Sequence, residues 1–129
     1  MCGVTTAVLL GCAFDLAHVS HKPAQLSPRV GVPKSLEFLE SVSITQAPCG
    51  YGRTLRKGTH WDFWGAIAEG EVYKPRDQTL TVECSNVHEA YIVVVDSAMV
   101  GFYLPVESGF VSISRKIDLP VRLLLGGPS

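Results

Sequence analysis

Neither sign of charge prevails in this chain. Eleven lysines and arginines stand against twelve aspartates and glutamates in 129 residues, for a formal net charge of −1. That balance excludes bulk electrostatic recruitment to nucleic acid or anionic lipid. Long apolar runs are missing too. No stretch reaches the roughly 20 apolar residues that a membrane-crossing helix needs. There is no G-x-S-x-G, P-loop, G-x-G-x-x-G or H-E-x-x-H, so no nucleophile elbow, phosphate cradle or zincin helix can be read locally, and no enzymatic activity is expected. The cysteines form no C-x2-C pair of the kind that structural zinc sites favour. Internal repeats and low-complexity tracts are also lacking.

What is present is apolar. Hydrophobic residues make up 47% of the chain and charged residues 18%, which fits one folded domain and argues against disorder. Most of the chain alternates with period two, the signature of strands. "SVSIT" (41–45) alternates, while "SLEFLE" (35–40) could begin as a helical turn. "HWDFWGAIA" (60–68) sets Trp61, Phe63, Gly65 and Ile67 against His60, Asp62 and Trp64. Glu69-Gly70 offers a turn into "EVYK" (71–74), and "TLTVEC" (79–84) puts Leu80, Val82 and Cys84 on one face.

"EAYIVVV" (89–95) is apolar throughout after its first residue, as in a strand buried on both faces. "DSA" suggests a hairpin loop into "MVGFYL" (99–104), with Val100, Phe102 and Leu104 together; "FVSIS" (110–114) and "VRLLL" (121–125) complete the series. No long helix is convincing. The reading is all-β, a small antiparallel barrel or sandwich of six or seven strands behind a non-core N-terminal segment.

That N-terminal segment carries no charge from Met1 to Phe14, and no lysine or arginine precedes Lys22. Its apolar centre, Val8-Leu9-Leu10, matches the h-region of a secretory signal. The tetrad Leu9-Leu10-Gly11-Cys12 resembles the bacterial lipobox. The resemblance implies that residues 1–11 are a signal peptide removed on export and that Cys12 is the lipidated head of the mature chain. Ala13 in the next position implies the periplasmic face of the outer membrane. The other reading of these residues is a buried N-terminal strand or helix in a soluble, cytoplasmic protein. Pro23, Pro28 and Pro33 make residues 12–35 a tether, or an irregular arm lying across the domain, with residues 36–125 as the β-domain. "VHEAYIVVVDSAMVGFYLPVE" (87–107) is similar to the β-hairpin core of small uncharacterised Gram-negative lipoproteins, a family that implies no known activity.

Four cysteines are present: Cys2, Cys12, Cys49 and Cys84. With Cys2 discarded and Cys12 acylated, Cys49 and Cys84 would remain to form a disulfide in an oxidising compartment. In a cytosolic protein they would be two thiols, with Cys84 in the core. A third arrangement, zinc held by Cys49, Cys84, His60 and His88, lacks the usual paired spacing, and no metal or cofactor is expected.

One segment mixes basic and aromatic residues. "YGRTLRKGTHWDFW" (51–64) brings Arg53, Arg56 and Lys57 near Trp64 in sequence, and Tyr73 follows in the next strand. These five are the candidate binding surface, set against ordinary core packing of the aromatics. Two functional expectations result. The first is a lipid-anchored envelope domain that binds an envelope protein or cell-wall component, without catalysis and without nucleic acid. The second is a soluble β-module that binds a ligand through its aromatic-basic loop.

Overall fold

Alternation of apolar and polar residues builds strands throughout the part of the chain that the computed structural model describes, residues 21–45, Cys49 and residues 52–126. The strands are β1 (Lys22–Pro23), β2 (Ser27–Pro28), β3 (Lys34–Phe38), β4 (Val42–Ile44), β5 (Arg53–Leu55), β6 (His60–Ile67), β7 (Gly70–Pro75), β8 (Leu80–Glu83), β9 (Val87–Val95), β10 (Ala98–Leu104), β11 (Gly109–Asp118) and β12 (Val121–Leu125). The protein is all-β, and every described strand pair is antiparallel. The main sheet runs β1-β11-β10-β9-β7-β6-β3-β12, with β2 beside β6 and β8 beside β9; β4 and β5 pair separately. It is not closed into a barrel and has the character of a β-sandwich. The strand count exceeds six or seven because Lys22–Pro23, Ser27–Pro28, Lys34–Phe38 and Arg53–Leu55 also pair. The first four residues of "SLEFLE" lie in strand β3 rather than in a helical turn: Leu36 and Phe38 gain a buried face against β6 and β12.

Strand β9 shows how the core divides. Ala90, Ile92 and Val94 point into a large cluster with Phe38, Trp61 and Phe102. Tyr91 and Val93, on its other face, join Ile67, Val72, Tyr103 and Phe110 in a second cluster. Both faces of this central strand are therefore dry, as its unbroken apolar composition requires. Asp96 and Ser97 close the β9–β10 hairpin with φ of 50° and 65°, and Val95 pairs with Ala98 around them. Two successive positive φ angles are those of a type I′ turn, whose twist suits a two-residue hairpin.

Strict alternation fails at two bulges. In β6 the register with β7 shifts between Phe63 and Gly65. Trp61 and Phe63 thus serve the large cluster, while Ile67 serves the second, because an inserted residue inverts the facing of everything after it. The β6–β7 turn falls on Ala68-Glu69, one residue earlier than expected, since Ile67 pairs with Gly70. In β10 the register shifts between Met99 and Gly101. Val100 accordingly packs on the second cluster, apart from Phe102 and Leu104.

Within the proline-containing segment, the described part is docked on the sheet from Lys22 onward. Lys22 and Pro23 pair with Phe110 and Gly109 of β11, and the Ala24 N–H donates to the Ser108 carbonyl over 2.9 Å. Ser27 and Pro28 pair with Ala66 and Gly65 of β6. Between these contacts Ala24 and Leu26 cover the second cluster, so the arm straps one face of the sheet. The proposed signal segment 1–11, Cys12 and the first part of the tether lie outside the described residues.

Cys49 and Cys84 form a disulfide pair with Cα atoms 5.4 Å apart, within the span a disulfide bridges. It links the β4–β5 connection to the end of β8.

Candidate functional site

Of the five residues expected to form a binding surface, two stand exposed to solvent, with no ion pair among the described residues. Arg56 and Lys57 occupy the exposed β5–β6 turn. Its shape comes from backbone bonds: the Lys57 N–H donates to Ser41 Oγ, and the Gly58 N–H to the Phe38 carbonyl. Arg53 is instead structural. Its Nε donates to the Thr81 carbonyl over 2.7 Å, and its Nη2 lies 3.0 Å from Glu83 Oε2, clamping β5 onto β8.

Trp64 sits at the β6 bulge, 37% exposed. Its ring stands edge-on to Tyr91 at 6.2 Å, and Lys74 Nζ lies 4.4 Å from its centroid. Trp64 thus meets Tyr91 of the second cluster edge-on, with a lysine over its ring. Tyr73 corrects the expectation most clearly. Its ring is buried in the large cluster, with 2% of the residue exposed. The bulge explains the separation, since Trp64 and Phe63 serve opposite faces.

Asp62 is held by Arg76, whose Nη2 lies 2.6 Å from Asp62 Oδ1 with Nε bonding both oxygens. His88 and Glu107 meet through Nδ1 and Oε2 at 2.7 Å, joining the start of β9 to the β10–β11 turn. With their sulfurs joined to each other, Cys49 and Cys84 do not serve as zinc ligands.

The site that sequence reasoning missed is a cavity of about 510 Å³. It opens between the β3–β12 pair and the Asp96–Ser97 turn, with apolar walls that include Leu36, Ile67, Val94 and Leu123. One wall is polar. Glu71 takes a hydrogen bond from the Tyr73 hydroxyl on Oε1 at 2.9 Å and from Lys34 Nζ on Oε2 at 2.7 Å. The Lys34 ammonium also lies 4.5 Å from the Phe63 ring centroid. Burial, followed by the bond to Glu71, pushes the Tyr73 hydroxyl well above the usual phenol range. The volume is that of a small-ligand pocket, and an apolar space with one polar wall holds a group of mixed polarity in a preferred orientation. Lys34 and Glu71 lie 37 positions apart, so only the sheet order brings them together.

A second feature adjoins the cavity. β12 is the last strand of the sheet and pairs only with β3 among the described residues. Its Leu123 and Leu125 are 51% and 71% exposed. Family models, curated proteins and solved structures were each compared with this chain, and none matches it.

Proposed function

We propose that this protein is a lipid-anchored envelope domain, held at the periplasmic face of the outer membrane through acylated Cys12, that binds an envelope protein or cell-wall component without catalysis. The observation that carries this reading is the pairing of Cys49 with Cys84. Disulfides persist in oxidising compartments and are rare in the cytosol, which agrees with an exported chain and with the lipobox-like Leu9-Leu10-Gly11-Cys12. The open cavity and the apolar margin at β12 support a binding role.

Cell fractionation followed by mass spectrometry of the full-length gene product tests the proposal. The expected product is a chain beginning at Cys12, bearing acyl groups and found in the outer-membrane fraction. Cys12→Ser should abolish acylation and leave the protein out of that fraction. An uncut chain in the soluble cytosolic fraction, with Cys12 unmodified, would overturn the proposal and favour the soluble β-module.

A further inference from the structure

We infer that the outer edge of β12 is a self-association surface, on which two copies of this chain pair antiparallel about a two-fold axis at Leu123. Hydrogen-bond phase decides which backbone groups of β12 face outward. The Leu39 N–H donates to the Pro120 carbonyl, and the Gly126 N–H to the Pro33 carbonyl. These bonds flank the pairs Val121↔Phe38 and Leu125↔Lys34, which makes both of them non-hydrogen-bonded pairs. With period two, Leu123↔Leu36 is of the same kind. Arg122 and Leu124 therefore spend their backbone groups on β3, while Val121, Leu123 and Leu125 turn theirs outward.

The outward set is short and self-complementary. The Val121 N–H is already taken by the Leu119 carbonyl at 2.9 Å. That leaves the N–H groups of Leu123 and Leu125 as outward donors, and the carbonyls of Val121, Leu123 and Leu125 as outward acceptors. A two-fold axis at Leu123 sends each Leu123 N–H to the other copy's Leu123 carbonyl. It also sends each Leu125 N–H to the other copy's Val121 carbonyl. Every outward donor is then satisfied, which is what an isologous strand pair requires.

Side chains agree with this register. Leu123 and Leu125, the exposed apolar residues of the strand, share one face and would meet their counterparts across the axis. The only charge on β12 is Arg122, and it is paired with Glu37 of its own chain. Across the axis Arg122 faces Leu124, so no two like charges stand directly opposite. An unblunted apolar edge of this kind templates strand addition, and a second copy matches both its donors and its leucines. The inference does not depend on where the protein is located.

The test uses the full chain purified from the fraction in which it accumulates. Leu123→Cys places two thiols at a hydrogen-bonded pair, where Cα atoms lie about 5.5 Å apart, a span that a disulfide bridges. Under mild oxidation this variant should form a covalent dimer well above the level of Val106→Cys, whose position on the β10–β11 turn is the more solvent-facing of the two. The parent chain sets the background from its other cysteines. Sedimentation should give twice the chain mass for the parent and the single mass for Leu123→Lys, which sets two ammonium groups against each other at the axis. If Leu123→Lys fails to fold, the cysteine pair, which adds no charge, decides the matter. A parent chain that is monomeric at every concentration, or Leu123→Cys linking no faster than Val106→Cys, would overturn the inference.

Discussion

A methyl group at position 65 would press against the carbonyl oxygen of Ser27 and the side chain of Leu26. Gly65 also holds a φ of +157°, a backbone state that side chains disfavour. Both demands arise because β2 crosses β6 at its bulge. Gly65→Ala should therefore cost about 1–3 kcal/mol, with lost amide protection concentrated in residues 22–28. Denaturant unfolding and hydrogen exchange read these two effects. Unchanged protection in the arm would show that its docking does not depend on this close approach.

Tyr73 carries a prediction about pH. Its folded-state pKa is raised by burial and by the Glu71 carboxylate, and burial raises Tyr91 in the same direction. The folded state thus holds the phenol proton more tightly than the unfolded chain does. The linked stability is fully present below the ordinary tyrosine value near 10, and it is lost as pH rises toward the folded value. Melting temperatures followed from about pH 9 to pH 11.5 should fall more steeply for the parent than for Tyr73→Phe, which has no phenol proton to lose. Parallel curves would remove Tyr73 from this account.

At the scale of elements, the β4–β5 hairpin is the part that depends most on outside support. Each strand has three residues, and a hairpin that short is marginal by itself. Ile44 and Leu55 enter the large cluster, Arg53 bonds across to β8, and the Cys49–Cys84 link closes 35 positions of chain. By loop-closure entropy that link contributes about 3–4 kcal/mol. The double variant Cys49→Ser, Cys84→Ser should lose about that much in denaturant unfolding, with residues 42–55 losing exchange protection first. A loss below about 1 kcal/mol would mean that Arg53 and the two buried side chains suffice.

The elements were unequally legible in the sequence. β9 announced its two-sided burial because every residue from Ala90 to Val95 is apolar, and β12 was read with its observed bounds. The bulges at β6 and β10 were hidden, since one extra residue changes facing without changing composition. That is why Val100 and Ile67 were assigned to the wrong sides, and why Trp64 and Tyr73 appeared to share a surface. β5 is three residues with one buried side chain, too short for periodicity to register. The prolines of the arm favour extended backbone, but its docking on β6 and β11 depends on partners some 40 and 90 positions away. The Lys34–Glu71–Tyr73 wall was unreadable for the same reason.

At the scale of the whole molecule, one strand organises two hydrophobic layers, and the arm closes the smaller of them. The sheet itself ends in two different ways. One margin is β1, two residues long and half proline, and proline supplies no amide proton. The other is β12, with Leu123 and Leu125 turned to solvent. With β12 covered by its twin, the joined sheet inferred above would have β1 as its last strand at both ends. A proline at each terminal strand withholds an amide donor from further addition, so the pairing inferred for β12 would favour a closed pair over an open-ended fibre.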